Sequence, residues 1–338
     1  AGSTSGVVTI QAAAAASLGQ VHRATTLGGV DVACKLQYPD MQSAIAADLS
    51  QLRLMFSVYE TYDKAIKTTH IFDELKDRLQ EELDYIREGK QMQLYAFMLK
   101  DENKSVHVPL YVPELSTPRL LTATWLDGQK ILNFKSASLD VRNQLALNMF
   151  RAWYVPLYHY GVIHGDPHLG NYSVRDDLSI NLLDFGCVRA FRSAFVEGVI
   201  NLYRSLLTND IALSVHAFET WGFTDLNKDQ IETLLIWARF LYEPLLDDNK
   251  RVIGQTESGV YGRETAKKVH ARLREVGRVT VPREFVFMDR AALGLGSVFI
   301  HLQAQINWHQ LFEEMIANFD VKELQTRQNK ALKQFDLL

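Results

Sequence analysis

At 338 residues, with 47% hydrophobic and 22% charged positions, the chain carries enough apolar material for a large core, in one domain or two lobes. A net charge of −4 excludes a globally basic nucleic-acid binder. Two cysteines, Cys34 and Cys187, exclude a disulfide framework and fit a reducing compartment, cytoplasmic or inside an organelle.

Residues 7–38 read as strands: VVTI, a loop QAAAAASLGQ, VHRATTL, a Gly28-Gly29 turn, then VDVACKLQY. The last two runs make a hairpin. Pro39-Asp40 closes this section and is expected to open a helix. From 41 to about 99 the pattern is helical, with Ile71, Leu75, Leu79, Leu83 and Ile86 on one apolar face and Glu81, Asp84, Glu88 and Gln91 on a polar one. Two strand-like runs follow, VHVPLYVPEL and RLLTATWLDG. After 128 the chain reads as almost wholly helical. Val141, Leu145, Met149, Trp153 and Leu157 form a ladder in which Pro156 is expected to kink or shorten the helix. The most apolar window, 234–246, is interrupted by Arg239 and Glu243 and reads as a buried helix, and no run is long enough to span a bilayer. The chain opens AGSTSG without Met, so any targeting segment is expected to be absent or removed.

The chemistry concentrates in HGDPHLGN at 164–171 and LLDFG at 182–186. Asp166 precedes Asn171 by five residues, and Asp184 sits between Leu183 and Phe185. A carboxylate among strongly apolar residues is costly unless something positive holds it. Phosphoryl transfer asks for a carboxylate near the attacking oxygen and oxygen ligands that hold magnesium on the phosphates, which is the order found here. Lys35, late in VACK, can reach phosphates and pair with a helix carboxylate, for which Glu88 is the candidate and Glu81 the fallback. The alanine-rich stretch stands where a phosphate-covering glycine loop would be expected, with Gly19 its remaining glycine. His164 and His168 read as structural residues of the loop rather than zinc ligands, and Cys34 and Cys187 as buried small hydrophobes. Only about ten residues separate Gly186 from the next helical run, too few for a peptide-binding platform, so a peptide substrate is not expected.

Together AAASLGQVH at 14–22, VACK at 32–35, ELDYIREG at 82–89, HGDPHLGN and LLDFG resemble the UbiB family of atypical kinases, also called aarF-domain or coenzyme-Q-biosynthesis kinase-like proteins. The resemblance implies an α+β, bilobal protein-kinase-like fold. Its small mixed N-lobe over 1–127 carries inserted helices, which account for the gap between Lys35 and Glu88. A larger helical C-lobe covers 128–338. It implies ATP and Mg2+ as ligands. Asp166, Lys35 and Glu88 would be catalytic, Asn171 and Asp184 would bind the metal, and Ala14, Ala15, Ala16, Ser17, Gly19, Gln20, Lys35 and Thr124 would line the nucleotide. It places the family's ExD motif on Glu82 and Asp84. It implies ATPase or unorthodox kinase activity linked to ubiquinone or other isoprenoid-lipid metabolism, at a membrane surface in many members. Three departures stand out: the family's KxGQ motif is not in these residues, Leu169 replaces a usual Pro, and Thr124 replaces a common glutamate in TATWLDG.

Two other functions compete. One is a small-molecule phosphotransferase of the aminoglycoside or choline kinase type, which shares HGDxHxxN but lacks AAASLGQVH and ELDYIREG. The other is a nucleotide-binding scaffold with little catalysis. A basic stretch, Arg263 to Arg283, holds seven Lys or Arg and two Glu, so an anionic membrane surface is a candidate partner beside the adenine nucleotide and an isoprenoid lipid. A surface helix packed on its own lobe competes with that reading.

Overall fold

In the computed structural model, the alanine run is strand rather than loop. Strand β1 (Val7–Ala16) pairs antiparallel with β2 (Gly19–Thr26), Ala14 opposite Val21 and Ala16 opposite Gly19, with a bulge between Ala12 and Ala14. Alanine has low intrinsic strand preference, so the run is held by its ladder partner, a context that local sequence does not carry. The structure describes residues 7–16, 19–62, 72, 76, 79–102, 104–166, 168–253, 271–272 and 282–338.

The expected hairpin joins β2 to β3 (Asp31–Gln37), with Gly29 at φ +78 in the turn and its N–H donating to Thr26 O at 2.9 Å. A positive φ at that site is what glycine tolerates. Helix α1 (Met41–Tyr62) then starts directly after Asp40, as Pro39-Asp40 suggested. It exposes Leu54, Met55 and Val58. Helix α2 (Tyr85–Met98) begins at an Asp84 cap, whose Oδ1 accepts from Arg87 N at 2.9 Å. Glu81 and Asp84 therefore precede the helix that carries Glu88, and no single polar face joins them. Glu88 and Gln91 point inward, 2% and 4% exposed, instead of forming a solvated stripe. Ile71 and Leu75 of the apolar face lie outside the described residues.

The two strand-like runs separate in space. Strand β4 (Val106–His107) pairs parallel with β9 (Ile180–Leu182), while β5 (Leu120–Thr124) completes the N-terminal sheet in the order β1-β2-β3-β5. Beyond 128 the expectation of nearly continuous helix is incorrect. Strands β6 (Gln129–Lys130), β8 (Tyr172–Val174) and β9 join β4 in a second sheet, and β7 (Val162–His164) pairs with β10 (Val188–Ala190). Strands of two or three residues are too short to show a period-two pattern.

Helix α3 (Leu139–Tyr160) is the central pillar of the C-lobe. Its Leu145, Met149, Trp153 and Leu157 are all within 1% of full burial, so the predicted ladder is the core face. Each such side chain contributes roughly 1.5–3 kcal/mol. The helix neither ends nor shortens at Pro156; it continues to Tyr160 and stops at Gly161, φ +64. Against it pack α7 (Arg283–Leu302), α8 (Trp308–Ile316) and α9 (Val321–Gln334), while α4 (Ser193–Thr208) packs on α9, α5 (Ile211–Trp221) and α6 (Lys228–Tyr242). Gln328 of α9 is buried and donates to Phe191 O at 2.8 Å and Gly161 O at 3.2 Å, pinning the entry to β7.

The 234–246 window is only half-buried: Leu234, Ala238 and Tyr242 face in, Ile236 is 42% exposed, and the helix ends at Tyr242 before Pro244. No helix among the described residues is long and apolar enough to cross a membrane. Apart from 271–272 and 282–283, the basic stretch lies outside the described residues.

Candidate active site between the lobes

The sequence places Lys35 on β3, opposite Leu121 of β5, and Glu88 one turn inside α2. Lys35 Nζ donates to Glu88 Oε1 at 2.9 Å and Oε2 at 3.0 Å, and to Asp184 Oδ2 at 3.3 Å. The side chains of Lys35 and Glu88 are 15% and 2% exposed, so the pair is largely withdrawn from water. Burial works against the Lys35 ammonium, but the Glu88 and Asp184 carboxylates outweigh it and hold its pKa above the ordinary lysine value. Burial pushes the Glu88 carboxyl up, with Lys35 opposing. Glu88 Oε1 also accepts from Phe185 N–H at 3.4 Å, so one carboxylate ties β3 to the LLDFG segment. Glu81, the fallback, instead pairs with Arg189.

A hairpin brings the metal candidates together. Tyr172 of β8 lies opposite Leu182 of β9, so Asn171 and Leu183 are neighbours, joined by Leu183 N–H to Asn171 O at 2.8 Å. Asn171 Nδ2 donates to Asp166 Oδ2 at 2.9 Å and to Asp166 O at 3.3 Å. That orientation leaves Asn171 Oδ1 as the amide's ligand atom. Asp184 is held at φ +57, a region costly for a residue with a Cβ. Its Oδ1 accepts from Gly186 N–H at 3.1 Å, while its side chain stays 38% exposed. Burial works against the Asp184 charge, but Lys35, the Gly186 N–H and His164 prevail and depress its pKa.

His164 is fully buried and structural, as expected. Its Nε2–H donates to the backbone carbonyl of Asp184, and its Nδ1 accepts from Asp166 N–H at 3.4 Å. A neutral ring satisfies both bonds, and burial lowers its pKa accordingly. Tyr95, Trp153 and Phe185 rings surround it at 6.0, 5.8 and 5.7 Å. His168 caps the following turn, Nδ1 accepting from Gly170 N–H at 3.1 Å.

The remaining candidates are placed as follows. Ala14, Ala15 and Ala16 lie at the end of β1, and Ser17 lies outside the described residues. Gly19 opens β2, where a Cβ would come within 2.3 Å of Leu36 O. Gln20 is exposed and reaches His22 at 3.1 Å. Thr124 uses its N–H and hydroxyl on Leu110, each at 2.9 Å, which fixes the strand leading to the lobe junction. There Arg23 bonds Asp31 at 2.5 Å and Asp127 at 3.2 Å beneath the Trp125 ring, and Asn181 Nδ2 donates to Asp127 O at 3.0 Å. Cys187 is buried as expected; Cys34, on the interior strand β3, is only half-buried.

Two residues escaped the sequence reading. Gln37, 4% exposed, donates to Leu83 O at 2.6 Å and ties β3 to the entry of α2. Tyr85, 1% exposed, lays its ring 5.3 Å from Lys35 Nζ. Tyr85 stood out only as part of ELDYIREG, and no local signal marks Gln37.

Magnesium prefers hard oxygen ligands and commonly takes one or two from protein with the rest from phosphates and water. Asp184 and Asn171 match that donor set. Among the described residues no group of three or more His, Cys, Asp or Glu could hold a metal ion by itself. The donor chemistry fits magnesium carried with a nucleotide and not a closed zinc site.

A family model described as the ABC1 atypical kinase-like domain matches residues 8–217. Protein ACTIVITY OF BC1 COMPLEX KINASE 1, chloroplastic, of Arabidopsis thaliana is 31% identical over 266 residues, 75% of this chain and 39% of its own length. Atypical kinase COQ8, mitochondrial, of Saccharomyces cerevisiae is 32% identical over 196 residues, covering 58% of this chain and 38% of that protein. Atypical kinase COQ8B, mitochondrial, of Rattus norvegicus is 26% identical over 314 residues, 89% and 57% respectively. The aligned part of this chain thus spans about two fifths to just over half of these relatives' lengths. A solved Mycobacterium tuberculosis structure, the Rv3197–erythromycin complex, superposes with a TM-score of 0.69 at 24% identity, over 90% of this chain and 76% of that one. That likeness bears out the kinase-like fold. With more than half of its residues matched by the family model, the chain belongs to the ABC1 atypical kinase-like family, the UbiB group that its motifs resemble.

Proposed function

We propose that the protein binds magnesium and ATP between its lobes and hydrolyses the nucleotide or transfers its phosphoryl group. The observation that carries this reading is the buried Lys35–Glu88 pair, with Asp184 3.3 Å from the same ammonium. A lysine held on a strand by a helix carboxylate presents a fixed positive charge to phosphates. Asp184 and Asn171 hold the metal, and magnesium, when bound, offsets charge on the phosphates. Asp166, whose Oδ2 accepts from Asn171 Nδ2, orients the attacking oxygen or takes its proton. The strand leading to Gly19 covers the phosphates.

The acceptor is not a peptide in this reading. Only a three-residue strand, Val188–Ala190, intervenes between Gly186 and α4 at Ser193, and it is paired with β7. That leaves no platform on which to seat a substrate chain. The family resemblance supports a role in ubiquinone or other isoprenoid-lipid metabolism, in the cytoplasm or an organelle interior, with contact to a membrane surface.

The test is magnesium-dependent release of phosphate from ATP by wild type, Lys35→Met and Asp166→Asn. Loss of a positioned general base lowers turnover by about 10²–10⁴-fold. Turnover equal in all three proteins refutes the assignment.

A further inference from the structure

The structure leaves the hydroxyl of a tyrosine beside Lys35 without a partner among the described residues. Tyr85 is the first residue of α2 and is 1% exposed, yet its Oη makes no hydrogen bond among the described residues. Burying a hydroxyl unpaired is unfavourable, and native proteins tolerate it where another component supplies the missing bond. The location is specific. The ring lies 5.3 Å from Lys35 Nζ, so the side chain borders the ammonium proposed to meet phosphates. A Cβ built on Gly19 would fall 3.0 Å from Tyr85 Oη, which puts the hydroxyl against the first residue of β2. The oxygen thus borders Gly19 while its ring borders the lysine.

We propose that the Tyr85 hydroxyl donates a hydrogen bond to a phosphate oxygen of the bound nucleotide, making Tyr85 a phosphate-reading residue of this site. The proposal rests on the nucleotide reading given above. The phenol is suited to the task because burial pushes its pKa up to about 12, so it keeps its proton throughout the neutral range. A neutral donor adds contact to the phosphates without adding to the positive charge already supplied by Lys35. The ring also packs beside the Lys35 ammonium, and Tyr85→Phe keeps that contact while removing only the oxygen.

The experiment compares wild type and Tyr85→Phe by titration calorimetry with Mg-ATP, Mg-ADP and adenosine, together with urea unfolding of the nucleotide-free proteins. The proposal predicts that Tyr85→Phe binds Mg-ATP and Mg-ADP about tenfold more weakly, a bond to a charged group. It predicts unchanged affinity for adenosine, which has no phosphate. It also predicts that the nucleotide-free variant is at least as stable as wild type, because an unpaired polar atom has been removed. A hydroxyl with a purely structural partner would do the opposite, lowering stability and leaving affinity alone. Equal Mg-ATP affinity in the two proteins overturns the proposal. Failure of wild type to bind Mg-ATP at all overturns the nucleotide reading itself, a result separable from the first.

Discussion

Removing either member of the Lys35–Glu88 pair leaves a buried charge, and the two removals should differ in a pH-dependent way. Breaking a buried pair by deleting one partner costs about 3–5 kcal/mol. Glu88→Leu leaves Lys35 with Asp184 at 3.3 Å, a carboxylate that is partly solvated, so the low end, about 3 kcal/mol, is expected. Lys35→Met leaves the 2%-exposed Glu88 carboxyl without its cation, and that group can take up a proton. Its pKa in the folded variant then rises further above the unfolded value of 4.5, since burial already pushes it up. A folded-state pKa raised in this way stabilises below the unfolded pKa, and the stabilisation is lost as pH climbs through the folded one. Lys35→Met should therefore be close to wild type near pH 4.5 and lose stability steadily towards pH 8. The double variant Lys35→Met/Glu88→Leu removes both charges and should recover most of the loss, while abolishing nucleotide binding. The assay is urea unfolding followed by tryptophan fluorescence, without nucleotide, at several pH values. Additive single-variant costs, or a Lys35→Met penalty flat from pH 4.5 to 8, would refute the claim that this is a coupled buried pair.

Gly19→Ala should cost about 1–3 kcal/mol and weaken nucleotide binding, because the new Cβ meets Leu36 O at 2.3 Å and β2 must move off β3; thermal unfolding and calorimetry check both. Gly89→Ala should destabilise by a similar amount despite alanine's better helix propensity, since its Cβ would lie 2.5 Å from the Tyr111 ring. Tyr111→Ala in the same chain should relieve the clash. His164→Ala should lower phosphate release by at least about tenfold, since the Asp184 carbonyl loses its donor and the φ +57 backbone loses a brace. Unchanged turnover in that variant would show that Asp184 is held by other contacts.

The candidate site left a clearer mark in the sequence than the sheets that carry it. Asp166, Asn171 and Asp184 are set by a short, local order of residues, and the chemistry of magnesium and phosphate restricts which types can stand there. Glu88 was identified by pairing logic, but its burial was not, because a helix acid reads as solvated until its partner from a strand 53 residues away is in place. The alanine run looked like loop for a related reason: its strand character comes from pairing with Gly19–Thr26, and alanine contributes no β signal. The strands at 129–130, 162–164, 172–174, 180–182 and 188–190 are two or three residues long and held by tertiary neighbours, so no local period announces them. Tyr85 was read as one more letter of a motif, since only the fold puts its hydroxyl against Gly19.

A magnesium-dependent nucleotide site at Lys35, Asn171 and Asp184 is tested most directly by thermal unfolding of wild type and Asp184→Asn with ATP, with and without magnesium. Ligand at 100 times its dissociation constant stabilises by about 2.7 kcal/mol, enough for a visible shift in Tm. A magnesium-dependent shift in wild type that Asp184→Asn abolishes is the predicted result. No shift in wild type, or an equal shift in both proteins, would contradict it.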